Sequence, residues 1–166
     1  MKNSKTRQLA TAAIVAAIYV ALTLISKPIS IGYVEIRLSE VLCVLPYFLP
    51  SSVWGLFVGC MIANIFSGSI VDIIVGSTAT LIGAYFTSKI KNKWLCPIPT
   101  VLSNTILIPF VIMTYFDTWH TPTYLFNVLG VFLSELVSVY ILGIILLIVL
   151  EKRKIFKRWV FSAFLL

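Results

Sequence analysis

The chain has 166 residues, 60% of them hydrophobic and only 11% charged, with a net charge of +7 and a mean hydropathy of +1.03. Soluble domains are about 45–50% apolar, so this composition excludes an ordinary soluble fold and points to one membrane-embedded domain over residues 1–166, with no room for a second, soluble one. The apolar residues run in blocks rather than alternating, which argues against an outer-membrane barrel, and no basic run is interleaved with aromatics in the manner of a nucleic-acid groove.

In chain order the apolar blocks are Gln8–Ser26, Ser39–Leu49, Ser52–Phe66, Val71–Ser88, Trp94–Tyr115 and Thr123–Leu150, all read as helices. The first follows a basic tail and superficially resembles a signal peptide, but its apolar run exceeds the usual length, so it is expected to stay as helix one. Its Ala13, Ala17 and Ala21 recur every four residues, with Ala12 and Ala16 alongside. Small residues at this spacing allow close helix approach, either inside the bundle or against a partner.

Pro50-Ser51-Ser52 is the doubtful break, because proline either kinks or ends a membrane helix. Charge decides. Lysine and arginine gather on the cytoplasmic side, and a turn at Pro50 gives six spans that put eleven of the 13 basic residues on one face. A mere kink gives five spans and places eight of them on the other side. The expectation is an all-α bundle of six transmembrane helices with both termini cytoplasmic. The basic C-terminus either lies on the anionic inner surface or is a plain flank.

Helices two and three are then short, about 16 and 22 Å at 1.5 Å per residue, against a hydrocarbon core of about 30 Å. The loop Lys27–Leu38 is expected to fold inward from the outer side as a lid. In an extended run, Tyr33, Glu35 and Arg37 share one face, free to meet a ligand, while Val34, Ile36 and Leu38 share the other.

Ionisable residues inside a span are costly and mark function by default. Glu135 lies mid-helix, on one side with Asn127, Val131, Ser134 and Ser138, and reads first as a ligand contact and second as a helix-pairing group. Ser39 reads as a cap for helix two, with Glu40 in its first turn beside the helix dipole. Arg37 stands on the outer side against the charge rule, as the partner of Glu40 or as a substrate clamp. Asp72 reads first as part of a capping box with Ser69, after a turn at Gly68, and second as a ligand contact. Asn64 and Asn104 read first as helix-to-helix hydrogen bonders, and Asn104 is carried as a candidate ligand contact too.

Cys43, Cys60 and Cys96 have no paired spacing and are expected to be buried free thiols. His120 is a lone loop histidine. There is no Walker loop, HExxH or nucleophile elbow. No enzyme activity, cofactor or metal is expected.

The run VEIRLSEVLCVLPYFLP, followed by GLFVGCMIANIFSGSIVDIIVGSTATLIGAY, resembles the QueT-type substrate-binding subunits, or S components, of energy-coupling factor transporters. The resemblance covers most of the chain, and the combination of I-R-x-S-E with S-G-x-x-x-D and G-S-x-A-T carries it. It implies a multi-pass subunit of a bacterial cell membrane that binds a micronutrient at its outer side, without an ATPase motif of its own. Its partners would be a transmembrane coupling subunit, which Ala13, Ala17 and Ala21 would meet, and two ATPases.

The family's presumed substrates are queuosine precursors, queuine or a 7-deazaguanine. One carboxylate can accept the N–H and exocyclic amine of a deazaguanine together, and a second suits a cationic 7-aminomethyl group. Glu40 and Glu135 are expected in these roles, with Asp72 able to replace either. Arg37 would meet the ring carbonyl or hold a carboxylate, and Tyr33 and Tyr124 would stack on the ring. The alternatives are an S component for another vitamin or small nutrient, and an autonomous ion-coupled secondary transporter. A purely structural subunit ranks last.

Overall fold

The computed structural model describes residues 2–26, 37–66, 70–116 and 120–152, with backbone alone considered for residues 2–4, 115 and 116. Most of the expected lid, with Tyr33 and Glu35, lies outside the described residues, as do Gly68, Ser69 and the C-terminal basic tail beyond Lys152.

Six helices and no strands form among the described residues. They are α1 (Lys2–Ser26), α2 (Leu38–Tyr47), α3 (Ser52–Ile65), α4 (Asp72–Thr87), α5 (Ile98–Phe116) and α6 (Thr121–Lys152). Two of them, over Lys5–Ser26 and Thr121–Lys152, are long and apolar enough to cross a bilayer unaided; the other four are apolar but shorter.

The Pro50 break is a turn. Ser52 donates from both its backbone N–H and its hydroxyl to the Leu49 carbonyl, at 2.8 and 2.6 Å, so α2 and α3 are separate helices. Consequently α1 and α3 run parallel and touch along small residues: a Cβ on Gly55 would overlap the Ala12 carbonyl oxygen, and one on Gly59 would lie 3.0 Å from Ala16 Cα. The alanines of α1 therefore divide. Ala16 is buried against α3, whereas Ala13, Ala17 and Ala21 are exposed.

Helices α4 and α5 are antiparallel neighbours whose approach needs Gly83, where a Cβ would lie 2.7 Å from Thr100 Cα. Their link is tied down by the Thr87 hydroxyl donating to Cys96 O at 3.0 Å. The basic link meets the end of α2 through Tyr47 Oη donating to Lys91 O at 3.1 Å, and the end of α6 through Lys93 Nζ to Glu151 Oε2 at 3.0 Å. Lys89, Lys91, Lys93 and Lys152 thus collect at one end of the bundle, as the charge pattern anticipated.

Three helices are not wound as expected. α2 is a ten-residue 3-10 helix rather than an α-helix, an unusual length for that winding. Its tighter turn eclipses residues i and i+3, stacking Glu40 over Cys43. α4 carries a π turn over Asp72–Gly76, preceded by helical residues 70 and 71, and α6 carries another over Leu136–Leu142, directly after Glu135. α5 starts at Ile98, four residues later than its apolar run, because Pro97 and Pro99 favour a helix start, where proline's missing N–H costs nothing.

Beside an apolar core of Val44, Leu56, Val139 and Leu147, the interior also buries many polar groups, while large apolar side chains face outward. Ile14, Ile18, Leu102, Ile106, Phe126, Leu129, Ile141 and Ile145 face outward, while Glu40, Asn64, Thr80, Asn104, Asn127 and Glu135 are buried. Exposed aliphatics around a polar interior suit a hydrocarbon solvent, which demands that polar groups be satisfied from within.

Candidate functional site

The polar interior has two parts. At the end opposite the basic link, Arg37 donates to Asn64 Oδ1 at 3.0 Å and lies 3.6 Å from Asp72 Oδ2. Asn64 in turn donates from Nδ2 to the Asp72 carbonyl at 3.0 Å. Gly76 makes this possible: a Cβ there would sit 2.8 Å from Asp72 Oδ1 and 2.9 Å from Asn64 Nδ2. The start of α2, the end of α3 and the start of α4 are fastened by one clamp of Arg37, Asn64 and Asp72.

Deeper in, α2 carries Glu40, which is 1% exposed. Oε1 of Glu40 accepts from Tyr19 Oη on α1 at 2.5 Å. Oε2 accepts from Cys43 Sγ at 3.1 Å and faces Asn104 Nδ2 of α5 at 3.4 Å. The same Asn104 nitrogen donates to Glu135 Oε1 of α6 at 3.0 Å. One amide thus joins two buried acids from different helices, and the partners named here are all neutral.

This part is incompletely satisfied. Among the described residues, Glu135 Oε2, Asn104 Oδ1, Ser138 Oγ and Ser39 Oγ are buried without a hydrogen-bond partner. Such groups cost about 1–3 kcal/mol each when left unmade, and several in one region mark a place where a polar guest would be stabilised.

Several expectations change. Ser39 is not a cap: Arg37 occupies the cap position without a side-chain bond, and the Ser39 hydroxyl is one of the unpartnered groups. Glu40 turns inward to three donors, because α1 and α5 bring Tyr19 and Asn104 against it. Arg37 is held by Asp72 and Asn64 rather than forming the anticipated pair with Glu40. The capping box expected of Asp72 with Ser69 falls on a residue outside the described ones, and the Asp72 carboxylate faces Arg37.

Asn64 bonds between helices as read. Asn127, Ser134, Glu135 and Ser138 share the buried side of α6. Tyr124 is half-buried and packs on Phe110, with ring centroids 5.4 Å apart. Cys43, Cys60 and Cys96 are buried free thiols.

Tyr19 is the site residue missed by sequence reasoning. The available signal was a phenol within an alanine- and isoleucine-rich helix, since a buried tyrosine hydroxyl generally finds a partner. The π turn after Glu135 left no sequence signal that periodicity detects.

The comparisons with known proteins fit this picture. The chain matches the model of a family described as QueT transporter over residues 9–152. It is 43% identical over 84 residues to the queuosine precursor transporter QueT of Lactococcus lactis subsp. cremoris (strain MG1363), an alignment covering 49% of this chain and 50% of that protein. The chain thus spans about half the length of that curated relative. No solved structure matches. Because the family match runs from α1 through α6, across both acids and the clamp, the chain belongs to the QueT transporter family.

Proposed function

We propose that the chain is a substrate-binding S component of an energy-coupling factor importer and captures a queuosine precursor, queuine or another 7-deazaguanine. The family match supports transport, and the relative's name supports the substrate. The observation that carries a binding role is the buried Glu40–Asn104–Glu135 cluster with its unpartnered acceptors. A deazaguanine supplies an N–H and an exocyclic amine to such acceptors, and a cationic 7-aminomethyl group suits two acids joined by a neutral amide.

In this reading all six helices are membrane spans with both termini cytoplasmic, supported by the lysines at one end of the bundle and the apolar exterior. Substrate enters from the Arg37 end. Arg37 holds Asp72, which leaves Glu135 and Asn104 as the principal contacts. Glu40, Asn127 and Tyr124 complete the wall; Tyr33 and Glu35, further contacts proposed from the sequence, lie outside the described residues. The exposed stripe Ala13, Ala17 and Ala21 docks the transmembrane coupling subunit, and partner ATPases supply the energy.

Mass spectrometry of the small molecule that copurifies in detergent tests the substrate, and a 7-deazapurine is expected. A different nutrient would keep the S-component role and overturn the substrate. Uptake by this chain alone in liposomes along an ion gradient would overturn the S-component role in favour of a secondary transporter.

A further inference from the structure

We infer that the groove between the basic ends of α3 and α4 is a binding site for one anionic phospholipid, with an acyl chain along the groove and the phosphate at Lys89. The inference goes beyond the substrate reading and takes from it only that the lysine end of the bundle lies at a membrane surface.

The groove follows from where glycine lets helices approach. On α3, Gly55 brings the helix against α1, where a Cβ would overlap the Ala12 carbonyl oxygen; on α4, Gly83 brings that helix against α5, where a Cβ would lie 2.7 Å from Thr100 Cα. Each helix is thus held to a different neighbour. Larger side chains line the gap between them, Val53 and Trp54 from α3 and Leu81, Ile82 and Tyr85 from α4. The space has a volume of about 490 Å3, within the range of about 300–1,000 Å3 found for ligand sites. It opens outward, since Trp54 and Tyr85 are 63% and 51% exposed. A groove with apolar walls that faces hydrocarbon suits an acyl chain.

The mouth of the groove selects the headgroup. Lys89 is exposed and its Nζ lies 5.4 Å from the centroid of the Tyr85 ring, a cation–π distance that leaves its N–H donors free for a phosphate. Neither Lys89 nor Lys91 has an acid partner among the described residues, whereas Lys93 is paired with Glu151 at 3.0 Å. Two uncompensated ammonium groups therefore belong to the end of α4 and the link that follows it. A zwitterionic lipid brings its own cation to that place; an anionic one brings only the charge that is missing, and each lysine near a membrane surface favours it by about fivefold. A simple belt of aromatic residues at the interface would account for the exposed rings, but not for a ligand-sized groove with an unpaired cation at its end.

The test keeps Trp54 as the sole tryptophan, through Trp94→Phe, Trp119→Phe and Trp159→Phe, in symmetric vesicles of phosphatidylglycerol and phosphatidylcholine. Bromine atoms on the acyl chains of one lipid at a time quench Trp54 fluorescence when that lipid occupies the groove. Phosphatidylglycerol is expected to quench beyond its share of the mixture, with a preference of at least about tenfold, and Lys89→Ala is expected to lower that preference by about fivefold. Affinity for 7-deazaguanine stays unchanged in Lys89→Ala. Quenching that merely follows lipid composition, or a preference that survives Lys89→Ala, overturns the inference and leaves the substrate reading untouched. A Trp54 that neither lipid quenches, on a face that retains a coupling subunit only while Lys89 is present, overturns it in favour of a protein partner. Because both leaflets carry the same lipids, the result does not depend on which way the chain inserts.

If the triple replacement does not fold, native mass spectrometry of the otherwise unaltered chain reads the same site. One phosphatidylglycerol is expected to stay bound through detergent exchange and to be lost in Lys89→Ala. Equal retention by both proteins overturns the inference.

Discussion

The two polar groups of the interior use the same residue types for opposite ends. In the clamp, Arg37 faces Asp72 and Asn64, pairing opposite charges across three helix ends. In the deeper cluster, Glu40 and Glu135 share one asparagine amide, and Glu135 keeps an unpartnered oxygen. A balanced, bonded group contributes to holding the bundle; an unbalanced one with empty acceptors costs stability until something binds. The difference teaches that an acid's burial among apolar helices does not by itself identify a binding residue. Whether its hydrogen-bonding capacity is already used does.

The largest effect in breaking this contrast is expected at the clamp. Arg37→Leu leaves Asp72 without its cation and is expected to cost about 3 kcal/mol, read as a lowered thermal midpoint in detergent. The double variant Arg37→Leu with Asp72→Leu removes both charges and is expected to recover most of that loss. A double variant no more stable than the single one would show that the pair is not what holds these helix ends.

Next is Glu135→Gln, which keeps the shape and the acceptor toward Asn104 but replaces the open oxygen with a donor. Affinity for 7-deazaguanine is expected to fall about a hundredfold, or roughly 2.7 kcal/mol, with the melting temperature unchanged or raised. Equal losses of stability and affinity would place Glu135 in the frame of the bundle rather than in the site.

A smaller stability effect sharpens the division of α1. Ala17 is exposed, so Ala17→Trp is expected to change stability by about 0.5 kcal/mol or less while, in the proposed S-component role, abolishing copurification with a coupling subunit. Ala16 packs on Gly59, so Ala16→Trp is expected to disrupt folding itself. Survival of the complex in Ala17→Trp would remove the stripe from the docking surface. The smallest effect belongs to Lys93→Ala. Its ion pair with Glu151 is about one-third exposed, and such pairs contribute about 0–1 kcal/mol, so the thermal midpoint should barely move.

Much of the fold was legible in the chain because hydrophobicity is a local property. The blocks located six helices, and the turn at Pro50 followed from where lysines and arginines fall. The candidate site was legible only in its acids and amides: Glu40, Asn104 and Glu135 stand out because polar groups in apolar helices need partners. Their partners did not stand out. Nothing around Tyr19 in sequence indicates that its hydroxyl meets Glu40, twenty-one positions away, and nothing around Arg37 chooses Asp72 over Glu40.

The sequence by itself determined the class of solvent, the number of helices and the charged end of the bundle. These depend on transfer free energies of side chains and on backbone groups satisfied within each helix, and neither requires knowing the neighbours. Tertiary structure alone decided which acid is saturated and which is open. That outcome depends on how closely α1, α5 and α6 approach α2, on the 3-10 and π turns that rotate their side chains, and on hydrogen bonds that form only within a few tenths of an ångström of one distance.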